Sequence, residues 1–330
     1  MDTSVDKLDS KSKDPSFFSR HLLLVLAVIA LIVAGALALL GVGDRSGALP
    51  NWQALILGLT QGLTELLPIS SSGHLILVPW LGGWHYLENH EAFNKTFDVA
   101  LHAGTLVAVV AYFWSEIVAI LRAWFGSIRR RSISTQNERL AWLLLVATIP
   151  AALGGAVGEN VIEKRLGEPW QIGIALAVFA VVLWLADRLP ERRAMTSLRY
   201  RDALALGFAQ MIALVPGVSR SGITITGARL FKLDRDSAAR FSFLMLVPVV
   251  FGAALLKTVK DIVLGPGLPA GWGGPFVVGM LAAAGSGLIA ISVLLGYVRR
   301  HDYSLFVVYR LLAALAVLIL IVSGVRASTF

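Results

Sequence analysis

The stretch QGLTELLPISSSGH, Gln61 to His74, decides how the chain folds. Gln61 and Glu65 stand four residues apart and share one face of a helix. Pro68 disfavours helix at the residue before it. Three serines and a glycine follow, with a hydroxyl to cap a second short helix. The apolar sequence around this break covers residues 52–82, and neither half reaches the roughly 20 apolar residues that cross a bilayer. Residues 203–231 have the same build around PGVSRSGIT, Pro216 to Thr224. Shifted by 149 residues, Gly58, Gln61, Ser70, Ser72 and Gly73 fall on Gly207, Gln210, Ser219, Ser221 and Gly222. Irregular backbone at membrane depth survives only where protein buries it or where it lines a wet cavity. The two stretches are therefore expected to be re-entrant helix pairs and the halves of an internal repeat. Paired interruptions of this kind point to a binding site at the midplane.

The flanking sequence supplies the membrane spans. Of 330 residues, 56% are hydrophobic and 15% charged, with a mean hydropathy of +0.73. Soluble domains carry about 25% charged residues, so a soluble fold is excluded, and disorder with it. Full spans are expected at 22–40, 98–121, 140–157, 170–187, 238–257, 276–298 and 304–323. Residues 1–21 read as a disordered polar tail. The run 22–40 exceeds the roughly 7–15 residues of a signal-peptide core and reads as an anchor helix. There is no cysteine, which removes disulfides, thiolate catalysis and Cys-ligated metals.

The formal charge of +8 is explained by orientation. With the N-terminus in the cytoplasm, 20 Lys and Arg fall inside and 7 outside, while Arg220 and Arg310 lie in the apolar core. Such a bias sets topology and leaves no need for nucleic acid. It also makes the first pair enter from outside and the second from inside. The expected fold is thus an all-α polytopic membrane protein: an inverted-topology repeat with two re-entrant helix pairs, plus an extra N-terminal transmembrane helix.

Ionisable groups at membrane depth cost about 2.5–3.5 kcal/mol each on insertion scales, so each is a functional candidate. They are Glu65, His74, Asp98, His102, Arg220 and Arg310. A carboxylate, hydroxyls and an imidazole within ten residues are the parts for phosphoryl or acyl transfer. Helix N-termini with free N–H groups bind anions, and the Arg fork suits phosphate oxygens. Two such termini and Arg220 would hold a diphosphate better than a monoanion. Plainer readings stand beside these. Glu65 and Arg220 could be a structural ion pair. Arg310 reads as a holder of backbone carbonyls or of an acid. Asp98 and His102, four residues apart, could share a structural hydrogen bond. Glu159, Glu163 and Glu168 with Lys164 and Arg165 read as a solvated loop. His85 and His90 with Glu88 and Glu91 lack a metal spacing and read as surface.

At its two motifs the sequence resembles the bacterial undecaprenyl-diphosphate phosphatase, or bacitracin-resistance, family. The first motif is Gln61 to His74 and the second Pro216 to Thr224, in the family's order, and the likeness covers about residues 50–325. The resemblance implies a bacterial inner-membrane enzyme that hydrolyses undecaprenyl diphosphate to the monophosphate on the periplasmic side. It recycles the carrier lipid for peptidoglycan and confers bacitracin resistance. The resemblance also implies roles: Glu65 as the essential acid, acting through a divalent metal or as a base; His74 as acid, base or nucleophile; Ser71 as nucleophile or phosphate ligand; and Arg220 as diphosphate clamp. Ser219, Ser221 and Thr224 assist Arg220, and Gln61, Ser70 and Ser72 complete the substrate-binding set. Many members have Glu where this chain has Gln61, which leaves one carboxylate to hold Mg²⁺ or Ca²⁺. The expected organisation is a tail and extra anchor over 1–45, and the phosphatase membrane domain over 46–330 with motifs at 58–74 and 207–224. The expected partners are the lipid substrate and the bilayer, with a homodimer left open. A lipid or anion transporter on the same inverted repeat is the alternative.

Overall fold

The computed structural model describes residues 17–43, 47–265 and 267–329; of the disordered tail expected over 1–21, residues 1–16 lie outside that set and 17–21 are instead the first turns of a helix. Among the described residues the chain forms thirteen α-helices and no strand. Helix α1 (Phe17–Leu39) leads to the first broken pair, α2 (Asn51–Leu66) and α3 (Ser71–Gly82). One turn, α4 (Tyr86–Asn89), precedes α5 (Glu91–Tyr112), α6 (Trp114–Arg130), α7 (Gln136–Arg165) and α8 (Pro169–Asp187). The second broken pair is α9 (Tyr200–Ile212) and α10 (Arg220–Leu230), followed by α11 (Arg235–Lys257), α12 (Gly273–Val298) and α13 (Ser304–Val322). Six of these helices, α1, α7, α8, α11, α12 and α13, are long and apolar enough to cross a bilayer. The chain is an all-α, multi-pass membrane protein.

Two further expectations are corrected. The span expected at 98–121 is not one helix: the chain turns by 86° between α5 and α6, at Phe113. Continuous hydropathy carried the expectation across a bend that the sequence does not punctuate with Pro or Gly. The solvated loop expected around 159–168 is helical as far as Arg165. The side chains of Glu159, Glu163 and Lys164 lie outside the described set. Glu168 instead caps α8 in a capping box with Gln171, with Pro169 in the first turn where its missing N–H costs nothing.

Both broken pairs follow one local recipe. Ser70 and Ser219 take positive φ, 80° and 77°, a region costly for residues with a Cβ. Each compensates as an N-cap: Ser70 Oγ accepts from Gly73 N at 3.3 Å, and Ser219 Oγ accepts from Gly222 N at 3.0 Å. Two of the aligned pairs, Ser70 with Ser219 and Gly73 with Gly222, thus form the same cap.

The first helix of each pair is held by close backbone approach. A Cβ on Gly58 would lie 2.3 Å from the Gly279 carbonyl oxygen of α12. One on Gly207 would lie 2.6 Å from the Ala147 carbonyl oxygen of α7. Small residues at such crossings are how helices pack in lipid, where no hydrophobic force separates protein from solvent. Helices α2 and α5 pack on α12, α9 packs on α7, and α10 and α13 pack on α8.

Candidate active site

The two breaks meet. Arg220, first residue of α10, donates from Nε and Nη2 to Glu65 Oε1 at 3.3 and 3.0 Å. Its Nη1 donates to the Ser242 carbonyl of α11 at 2.8 Å. Glu65 is 5% exposed, so the pair is shielded from water and correspondingly strong. The second carboxylate oxygen, Oε2, accepts a short hydrogen bond from Ser71 Oγ and one from Gln61 Nε2 at 3.3 Å. Gln61 and Glu65 do share a helix face, and the α2–α3 break returns the chain so that Ser71 lies beneath that face.

The remaining loop hydroxyls hold the breaks in shape. Ser221 Oγ donates to the Leu67 carbonyl at 3.0 Å, tying the second break to the first. Thr224 Oγ1 donates back to the Arg220 carbonyl at 2.8 Å and pairs with Ser242 Oγ at 2.7 Å. Ser219 and Ser221 hydroxyls lie 3.2 Å apart. Ser72 stands in the first turn of α3, half-buried.

His74 is not turned toward Glu65. Its Nδ1 donates to the Ser70 carbonyl at 2.7 Å, and its Nε2 accepts from the Tyr309 hydroxyl of α13 at 2.7 Å. A carbonyl only accepts, so the proton sits on Nδ1 and the tautomer is fixed. Arg310 holds carbonyls, as read from the sequence. Its guanidinium reaches Pro68 (3.2 Å), Gly217 (3.0 Å), Val218 (3.1 Å), Ala175 (3.5 Å) and Leu176 (3.2 Å). It thereby pins both breaks to α8 and to each other.

Two neighbours, Ser242 and Tyr309, escaped sequence reading, and a third, His102, was flagged without its partner. His102 Nε2 lies 3.6 Å from Glu65 Oε2, while its Nδ1 donates to the Asp98 main-chain carbonyl at 2.7 Å. The i,i+4 spacing suggested a bond between side chains; the backbone takes that proton instead and the ring faces Glu65. Ser242 and Tyr309 gave no signal, because a lone polar residue in an apolar helix announces no partner 22 or 235 positions away.

Among the described residues no cluster of three or more His, Asp or Glu side chains could hold a metal. The surface reading of His85 agrees: its ring is exposed and lies 3.1 Å from the Glu88 carboxylate. Around Glu65 stand Arg220, the His102 ring, the Ser71 hydroxyl and Gln61, whose Oε1 is buried with no hydrogen-bond partner among the described residues, so the oxygens open to a cation are those of Glu65, Ser71 and Gln61. Those hard oxygens suit a divalent cation only if substrate oxygens complete the shell.

Comparison with known proteins places this geometry in a lineage. The family described as bacitracin resistance protein BacA matches residues 54–316. The chain is 43% identical over 270 residues to an undecaprenyl-diphosphatase of Desulforudis audaxviator, covering 82% of this chain and 97% of that protein. It is 45% identical over 284 residues to one of Thermomicrobium roseum, covering 83% and 99%. It is 45% identical over 267 residues to one of Geobacter sulfurreducens, covering 80% and 96%. The chain belongs to the BacA family.

Proposed function

We propose that this family member hydrolyses undecaprenyl diphosphate to undecaprenyl phosphate and inorganic phosphate. The enzyme is a membrane phosphatase of cell-wall synthesis and bacitracin resistance. Its setting is the bacterial inner membrane, with the N-terminus in the cytoplasm and the site open to the periplasm; the 20 to 7 split of basic residues, counted with α5 as a seventh crossing, supports that orientation.

The observation that carries the mechanism is the chain of contacts Ser71–Glu65–Arg220 across the two breaks. Without substrate, Glu65 occupies the guanidinium fork. Diphosphate oxygens compete for that fork, and the N–H groups at the starts of α3 and α10 face the same negative charge. Releasing Arg220 leaves Glu65 free to accept a proton. Ser71 Oγ then attacks the terminal phosphorus, and its proton passes to Glu65. The bond to the bridging oxygen breaks, and that oxygen leaves with the lipid monophosphate. Water next adds to the phosphoserine. Glu65 returns its proton to Ser71 Oγ, and both water hydrogens leave on inorganic phosphate. The attack runs in line, with charge spread over the equatorial oxygens that Arg220 holds.

Ser71 is preferred to His74 because both ring nitrogens of His74 are engaged elsewhere. The residues that would hold Mg²⁺ or Ca²⁺ are Glu65 and Gln61, with diphosphate oxygens beside them. Such an ion supplies charge neutralisation on the diphosphate when bound. His74 orients the Ser70 turn and, through Tyr309, ties it to α13. Ser70, Ser72, Ser219, Ser221 and Thr224 shape the two anion cradles.

The test is acid quenching of purified enzyme with substrate carrying a labelled terminal phosphate. Label on protein in wild type, absent in Ser71→Ala, is expected. Glu65→Ala and Arg220→Ala should lose phosphate release while folded protein persists in membranes. Wild-type turnover by Ser71→Ala would remove the serine from the pathway and leave a water as nucleophile.

A further inference from the structure

The bend at Phe113 creates a feature that the phosphatase chemistry does not use. Helix α6 has 17 residues, so at 1.5 Å per residue it is about 25 Å long, short of the roughly 30 Å hydrocarbon core. It leaves α5 at 86°. One stripe faces the protein: Ile117 and Ile120 are buried, and Trp124 packs against the core. A second stripe at helical spacing faces out. Trp114 is 63% exposed, Leu121 48%, Phe125 62% and Ile128 47%. Beside that stripe stand Arg122 and Arg129, and Arg130 and Arg131 close the helix, all exposed. Arg130 is tied to Glu138 at the start of α7. The only acid on α6 itself is Glu116, at the opposite end.

We propose that α6 is an in-plane binding surface for acidic phospholipid headgroups, with its outward apolar stripe sunk into the acyl boundary. An apolar face with aromatic residues and arginines beside it is the build of an interfacial helix, whose affinity comes from buried apolar area plus attraction to anionic lipid. Charge complementarity selects the occupant. Phosphatidylglycerol-type headgroups offer the net negative charge that Arg122, Arg129 and Arg131 lack a protein partner for among the described residues, whereas in zwitterionic lipid the phosphate is balanced by its own cation. A second copy of this chain would bring the same arginines against themselves. In the orientation proposed above, α6 falls on the cytoplasmic side, where most of the basic residues are counted.

The chain has no cysteine, so Phe125→Cys carries a single environment-sensitive fluorophore on the outward stripe. Leu121→Cys serves as an independent second position. Each labelled full-length protein is placed in phosphatidylcholine vesicles containing either brominated phosphatidylglycerol or the same fraction of brominated phosphatidylcholine. Quenching by the glycerol lipid is expected to exceed that by the choline lipid by about two- to threefold. The excess should vanish in Arg122→Gln/Arg129→Gln/Arg131→Gln and shrink at about 0.5 M salt, where screening acts within a few ångströms. Equal quenching by the two lipids would overturn headgroup selection. Quenching by aqueous acrylamide with none by either lipid would place the stripe in water and overturn the proposal. Efficient disulfide crosslinking of unlabelled Phe125→Cys protein in membranes would assign the face to a second copy, again overturning it.

Discussion

Replacing Arg310 by Met removes the pin between the two breaks, and the structure sets the size of the effect. Five carbonyls from three segments lose their donor: Pro68, Ala175, Leu176, Gly217 and Val218. Hydrogen bonds to a charged group contribute about 1.5–3 kcal/mol each, so the low end gives about 7 kcal/mol for the set. Removing a buried charge recovers about 3 kcal/mol on insertion scales. A net loss of about 4 kcal/mol remains, which corresponds to a fall of about 8 °C in thermal midpoint. The assay is loss of monodisperse protein on heating in detergent, run beside phosphate release per folded molecule. Turnover should fall about a hundredfold, because shifting either break by about 1 Å misplaces Ser71 or Arg220. Arg310→Lys keeps the charge but has three donors on one nitrogen in place of a planar fork, so it should recover part of the midpoint. A midpoint for Arg310→Met within about 2 °C of wild type, with full turnover, would refute the clamp.

Two further outcomes follow from the packing. A Cβ on Gly62 would sit 2.0 Å from Ser286 Oγ and 2.4 Å from the Ala283 carbonyl, so Gly62→Ala should destabilise by about 1–3 kcal/mol. Adding Ser286→Ala should not rescue it, since the carbonyl remains; Gly155→Ala, with nothing within 4 Å, is the neutral control, all read by thermal midpoint. At the other end of the molecule, the Asp187 carboxylate accepts from Arg229 Nε at 3.0 Å, Arg235 Nε at 2.8 Å and Tyr303 N at 2.9 Å. Asp187→Ala strands the 0% exposed Arg229 and should cost about 3–5 kcal/mol. Phosphate release per folded molecule should stay unchanged, because this cluster lies away from the two breaks; a selective loss of turnover would contradict that.

Much of the site was legible before any coordinates. Pro68 and Pro216 marked the breaks, and the matching serines marked caps that the structure realises at Ser70 and Ser219. Glu65 and Arg220 stood out because a charge in lipid needs a reason, and each turned out to be the other's partner. The same rule flagged His102, but its neighbour in sequence, Asp98, drew attention from its neighbour in space, Glu65. His74 stood out in the motif, but the group that holds the far side of its ring, Tyr309 of α13, lies 235 positions away.

The sequence by itself determined the class of protein, the positions of both breaks and the groups able to do chemistry. Hydropathy, proline and buried charge act locally, and a window of ten to twenty residues reports them. Only the tertiary structure decided which hydroxyl meets the carboxylate, which ring faces it, and that the apolar run 98–121 turns by 86° at Phe113 into a second helix. How the two breaks meet rests on contacts between residues more than 150 positions apart, Arg220 with Glu65 and Arg310 with Pro68. They are set by how closely glycine faces let helices approach, a property of pairs of surfaces that no single segment encodes.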